Sequence, residues 1–173
     1  MLEALIFVVF PFCMVFAAIS DTLSMTIANR VPVILVVVFA LVAPMTGMAW
    51  ADFGMHFAAG VAVLLFTFAI FAFGGMGGGD AKLLAATSLW MGMGVPLAEY
   101  VLVTGVLGGL LTLAILSYRK SAIAIFTSRN MFMRNFAEGA NGVPYGIALG
   151  IGGLIVYPQS PLMVWALERL AAQ

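Results

Sequence analysis

Residues 55–74, MHFAAGVAVLLFTFAIFAFG, run on without an acidic residue, a lysine or an arginine. As a helix this stretch is about 30 Å long, the thickness of a bilayer's hydrocarbon core. Five further apolar segments accompany it, at roughly 2–19, 31–49, 81–93, 95–117 and 143–158. In lipid each backbone N–H and C=O must be satisfied by the protein itself, so such runs predict helices. The expected fold is all-α, a polytopic membrane helix bundle with about six transmembrane helices. The fourth segment is short for a span and needs tilt, or the Gly-rich stretch before it, to complete the crossing.

Composition agrees with this reading. Of 173 residues, 64% are hydrophobic and 8% charged, with a mean hydropathy of +1.17. A soluble domain carries about 25% charged residues, so a water-facing surface cannot be covered here. Breakers fall between the segments: Pro44 and Gly47, then Gly92, Gly94 and Pro96, then Pro158 and Pro161. The first segment carries Glu3 in place of a basic n-region and precedes other spans, which favours a permanent helix over a signal peptide. The tail 162–170, with Trp165, Glu168 and Arg169, has the make-up of a short interfacial helix. Gly105 with Gly109, and Gly146 with Gly150, have the spacing of close helix contacts, which packing alone explains.

Charge placement sets an orientation. With six spans, Arg30, Lys82, Arg119, Lys120, Arg129 and Arg134 fall on one side of the membrane and Arg169 alone on the other. Positive charge marks the cytoplasmic side. The loops 20–30, 75–82 and 118–141 are therefore expected in the cytoplasm and both termini outside. Zero net charge and a pI near 6.5 give no support for a nucleic-acid partner. Membrane lipid is the partner that most of these basic residues fit.

Few side chains remain for chemistry. Glu3, Asp52, Glu99, Glu138 and Glu168 fall at ends or in loops, where solvation accounts for them. Asp21 and Asp80 differ, because each closes or opens an apolar run on the same predicted face. Ionisable groups at membrane depth are costly and usually face a polar cavity or a partner. Asp80 follows the run Gly74-Gly75-Met76-Gly77-Gly78-Gly79, where missing side chains let another backbone come close to the carboxylate. The plainer reading of that run is a hinge with the acid capping the next helix. No Gly-Lys-Ser/Thr ending supports a phosphate loop. Cys13 is the only cysteine and His56 the only histidine, which excludes paired-histidine and multi-cysteine zinc, and His56 falls on the outward side, which leaves serine–histidine chemistry without support. A serine–lysine pair of Lys82 with Ser20 or Ser24 is formally available but leaves both aspartates unexplained.

Three segments in order carry a family resemblance. Gly77-Gly78-Gly79-Asp80 has the G-x-G-D pattern of intramembrane aspartic peptidases, and Asp80-Ala81-Lys82-Leu83 resembles its continuation in prepilin peptidases. Ser20-Asp21, followed by Ile27-Ala28-Asn29-Arg30, resembles the first aspartate and the I-P-N segment of that family, with Ala28 in place of the usual proline. Val143-Pro144-Tyr145-Gly146 resembles the P-[YF]-G segment of its last spans. The chain thus resembles the type IV prepilin peptidases in their short form, the kind associated with tight-adherence (Flp-type) pili. With one cysteine it lacks the two C-x-x-C pairs of the longer forms.

The resemblance implies a single membrane-embedded peptidase domain over 1–173, in the bacterial cytoplasmic (inner) membrane with its site facing the cytoplasm. It implies an aspartic endopeptidase that needs no cofactor or metal. The substrate would be a prepilin, cut after a glycine just before its hydrophobic N-terminal helix. Asp21 and Asp80 would be catalytic, with Gly77, Gly79, Lys82, Asn29, Pro144, Tyr145 and Gly146 supporting them or the substrate's approach. Two carboxylates sharing a site hold one proton between them, so one can activate water while the other polarises the scissile carbonyl. The alternatives are a small transporter or ion-conducting bundle using Asp21 and Asp80 as ligands, and a structural subunit of a secretion machine. The first predicts acids near mid-bilayer, whereas both lie at one end of their runs.

Overall fold

The computed structural model describes residues 1–121 and 142–172. Its helices are α1 (Leu2–Ser24), α2 (Arg30–Met45), α3 (Trp50–Ala72), α4 (Gly78–Met91), α5 (Val95–Arg119), α6 (Tyr145–Val156) and α7 (Pro161–Ala171), with a 3₁₀ turn at Tyr157–Gln159 between the last two. Among the described residues there is no strand. The breakers read from sequence end these helices. Gly47 and Gly92 take φ values of +85° and +70°, and Pro96 sits in the first turn of α5. Ser160 caps α7, its hydroxyl accepting from the Met163 amide.

Among the described residues α1 to α6 correspond to the six apolar segments, but they differ in reach. By length and composition α1, α3 and α5, with 23, 23 and 25 residues, can cross a membrane. The α6–α7 pair, bent by 48°, brings the number to four if it counts as one span. The 16 residues of α2 and the 14 of α4 correspond to only about 24 and 21 Å at 1.5 Å per residue. The reason for the short α4 is its place. It packs against α2, α3, α5 and α6, and most of it is buried, including Thr87 and Ser88. A helix enclosed by protein is not sized by the lipid around it. The tail helix α7 buries Leu162 and Ala166 against the bundle, and its Arg169 reaches Glu3 of α1 at 3.2 Å.

The core is aromatic and centred on Trp90 of α4, which is fully buried. Its indole Nε1 donates to the Leu35 carbonyl at 3.1 Å, and its ring meets Phe39, Phe10 and Tyr157 with centroids 5.8, 5.4 and 6.0 Å away. Tyr157 in turn stacks on Phe10 and donates to the Ile6 carbonyl at 2.7 Å. One side chain thereby joins α1, α2, α4 and the turn before α7. Replacing Trp90 with Ala is expected to cost about 3–5 kcal/mol, read as an earlier thermal unfolding transition in detergent. Trp90→Phe, which keeps most of the packing and loses the N–H donor, is expected to cost about 1–3 kcal/mol by leaving the Leu35 carbonyl unpaired.

One end of the bundle gathers Arg30, Lys82, Arg119 and Lys120, at or near the C-termini of α1, α3 and α5 and the N-termini of α2, α4 and α6. Arg169 lies at the other end, with Glu3. The grouping of basic residues read from sequence therefore holds for these five. Arg129, Arg134 and Glu138 lie outside the described residues.

Candidate active site

Asp21 occupies the last turn of α1 and is 5% exposed. The helix ends there because Met25 turns left-handed, with φ 51°, and returns its amide to the Asp21 carbonyl at 2.8 Å. A non-glycine residue in that conformation is uncommon and is held here by its surroundings. The hydroxyls of Ser20 and Ser24 both bond Thr26, at 3.0 Å to its carbonyl and 2.9 Å to its Oγ1, and stitch the 25–29 connection to the helix. That connection passes directly beneath the start of α4.

Asp80 lies in the first turn of α4, after Gly77 in extended conformation. A Cβ on Gly77 would stand 2.7 Å from Asp80 Oδ2, so only glycine leaves room for that oxygen. The other oxygen, Oδ1, is buried and has no hydrogen-bond partner among the described residues. A buried acceptor left unpaired is expensive, so one on a residue that lines a cavity calls for a functional reason. Gly79 serves another purpose. A Cβ there would lie 3.2 Å from Ile27 Cβ and 3.5 Å from its amide nitrogen. The backbone that the glycine run admits at this position is therefore the chain's own 25–29 connection.

The two acids, 59 positions apart in sequence, line one cavity of about 260 Å³ together with Met25, Thr26, Ile27, Asn29 and Gly77 to Gly79. Asp21 is fixed from a third direction. The Gly146 amide, 125 positions away at the start of α6, donates to its Oδ2 at 2.7 Å. A Cβ on Gly146 would fall 2.7 Å from Asp21 Cβ. Only a glycine can bring this amide so close.

The remaining residues singled out in the sequence separate by position. Asn29 lines the cavity, and Lys82 donates to its Oδ1 at 3.0 Å from the first turns of α4. Among the described residues no ion pair joins Lys82 to either aspartate, and the Ser20 and Ser24 hydroxyls are bonded to Thr26 and not to this lysine. Pro144 is buried as the residue before α6. Tyr145 points away from the acids toward α5, where its hydroxyl meets Thr112 Oγ1 at 3.0 Å and its ring fills the space left by Gly108. Its place in the segment is to hold α6 in register, so that the next amide reaches Asp21. Met25 and Thr26 were not legible as cavity residues, since nothing in an apolar–polar pattern marks a left-handed helix end at methionine.

The arrangement is two carboxylates on separate helices, facing one small polar cavity at the basic end of a membrane bundle. A family model described as the type IV leader peptidase family matches residues 8–117, more than half of the chain and the part that holds both acids. No curated protein and no solved structure matches the chain. The chain therefore belongs to the type IV leader peptidase family and is a peptidase.

Proposed function

We propose that this chain is an aspartic endopeptidase that removes the leader of type IV, Flp-like prepilins at the cytoplasmic face of the bacterial inner membrane. In this reading residues 1–173 form a single membrane-embedded peptidase domain. The observation that carries it is the shared cavity of Asp21 and Asp80, with one Asp80 oxygen buried and unpartnered. The pair holds one proton. Its ionised member takes a proton from a water, whose oxygen attacks the scissile carbonyl carbon. The protonated member gives a hydrogen bond, then its proton, to the carbonyl oxygen. Collapse of the tetrahedral species returns a hydroxyl proton to the second carboxylate and breaks the C–N bond, and the nitrogen leaves as an amine carrying the proton first drawn from the water.

The experiment is co-expression with an Flp-type prepilin and measurement of the pilin's mass. Loss of the leader mass is expected, and a pilin that keeps its leader beside well-expressed enzyme rules the reading out. The transporter alternative predicts no mass change and an ion flux instead.

The cytoplasmic placement has its own check. In a Cys13→Ala background, single cysteines at Ser24 and Ser121 lie at the aspartate end, and one at Thr46 lies at the other. A membrane-impermeant maleimide added to intact cells is expected to label only Thr46→Cys. Labelling of Ser24→Cys from outside would invert the proposed orientation.

A further inference from the structure

An apolar groove of about 480 Å³ opens on the flank of the bundle, and it begins where the aspartate cavity ends. Its walls are α2 and α3, which diverge, while α4 packs against both and forms the floor. The lining follows helical spacing on every side. Val33, Val36 and Val37 come from α2; Phe57, Val61 and Leu64 come from α3. The floor is low because Ala85 and Ala86 are small, and Gly60 keeps the α3 wall thin beside it. Three rows at i, i+3 or i+4, and i+7 or i+8 match the ridges of one further helix. Among the described residues the only charged or strongly polar side chains of the lining are at one end, where Asn29 and Lys82 bond each other. Asn29 lines both the groove and the aspartate cavity, so the two adjoin at this side chain.

We propose that this groove seats the apolar helix of the substrate, with the N-terminal end of that helix at the Asn29–Lys82 pair and the scissile bond beyond it, over the aspartates. The assignment rests on the peptidase reading above and adds where the membrane-embedded part of the substrate lies. A lipid chain needs apolar surface alone. A helix running into the catalytic cavity needs the three matched rows, the shallow floor and the polar step at the cavity side, and all of these are present. The Asn29–Lys82 bond then marks the point at which the substrate backbone leaves its helix.

The test uses the full chain with Asp80→Asn, which retains the substrate, and p-benzoylphenylalanine at Val61. Leu110, exposed on α5 at a comparable depth and outside the groove, carries the same probe as the reference. Under ultraviolet light the Val61 probe is expected to form an adduct with a co-expressed prepilin roughly tenfold above the Leu110 probe, the ratio set by about 1.4 kcal/mol of preference for the groove. If the parent cleaves the prepilin but Val61 gives no more adduct than Leu110, the groove assignment alone is overturned. If the parent leaves the leader in place, the peptidase reading fails and the groove assignment falls with it.

Discussion

Asp21→Asn and Asp80→Asn are each expected to lower the rate of leader removal by about a thousandfold or more, because each leaves the pair without one of its two acid–base functions. The substitutions are chosen to spare the structure. Asn at position 21 keeps a carbonyl oxygen for the Gly146 amide, which now donates to Asp21 Oδ2 at 2.7 Å. The docking of α6 is thus retained. At position 80 the unpartnered Oδ1 gives up no protein hydrogen bond among the described residues. Asp52 and Glu99 lie near the N-termini of α3 and α5, at the far end of the bundle, and Asp52→Asn and Glu99→Gln should keep most activity. Initial rates of prepilin processing at matched membrane levels decide the matter. Near-parental cleavage by either Asp variant would remove the aspartic mechanism, whatever the family membership.

Gly146→Val is the second change with a large expected effect, and it acts through Asp21 without touching the substrate. A Cβ at this position would lie 2.7 Å from Asp21 Cβ and 2.9 Å from its Oδ2, closer than real Cβ contacts come. The neighbour cannot yield, because it is the root of a buried side chain on α1. Either α6 withdraws or the carboxylate turns aside. Displacing a reacting group by about 1 Å costs on the order of a hundredfold in rate. The expected result is that loss in kcat with protein still present in the membrane. Gly105→Ala is the matched control: nothing stands within 4 Å of a Cβ there, and alanine favours the helix by roughly 0.5–1 kcal/mol. If Gly146→Val cleaves like the parent, the hydrogen bond from α6 does not position Asp21.

Much of the fold was legible. The apolar runs and their Gly and Pro breakers placed α2, α4, α5 and α6 to within about four residues of their ends, while α1 runs on past Ile19 to Ser24. The start of α3 was placed late, at 55, with Asp52 read as an acid at an end or in a loop. Hydropathy is not helix propensity, and the structure begins this helix at Trp50. His56, read as lying on the outward side, stands in the second turn of α3 at the end away from the aspartates; it is 6% exposed, and its Nδ1 bonds the Leu89 carbonyl of α4. The tail, read as an interfacial helix, is a helix, but one with Leu162 and Ala166 buried in the bundle.

The candidate site was legible as a pair of acids and a run of glycines, and as nothing finer. Sequence by itself determined that the chain is helical and membrane-embedded, since a chain this apolar must satisfy its backbone internally. It also determined that Asp21 and Asp80 are the exceptional acids, since each adjoins an apolar run. Which atoms meet was decided only by tertiary structure: the Gly146 amide on Asp21, Ile27 against Gly79, Lys82 on Asn29, and α4 enclosed at the centre. The reason is physical. In water a helix reveals its buried face because the other face is polar. In a bilayer the lipid-facing and protein-facing sides are both apolar, so the pattern that fixes rotation and depth in a soluble bundle is silent here, and those choices fall to packing between small residues and a few buried hydrogen bonds.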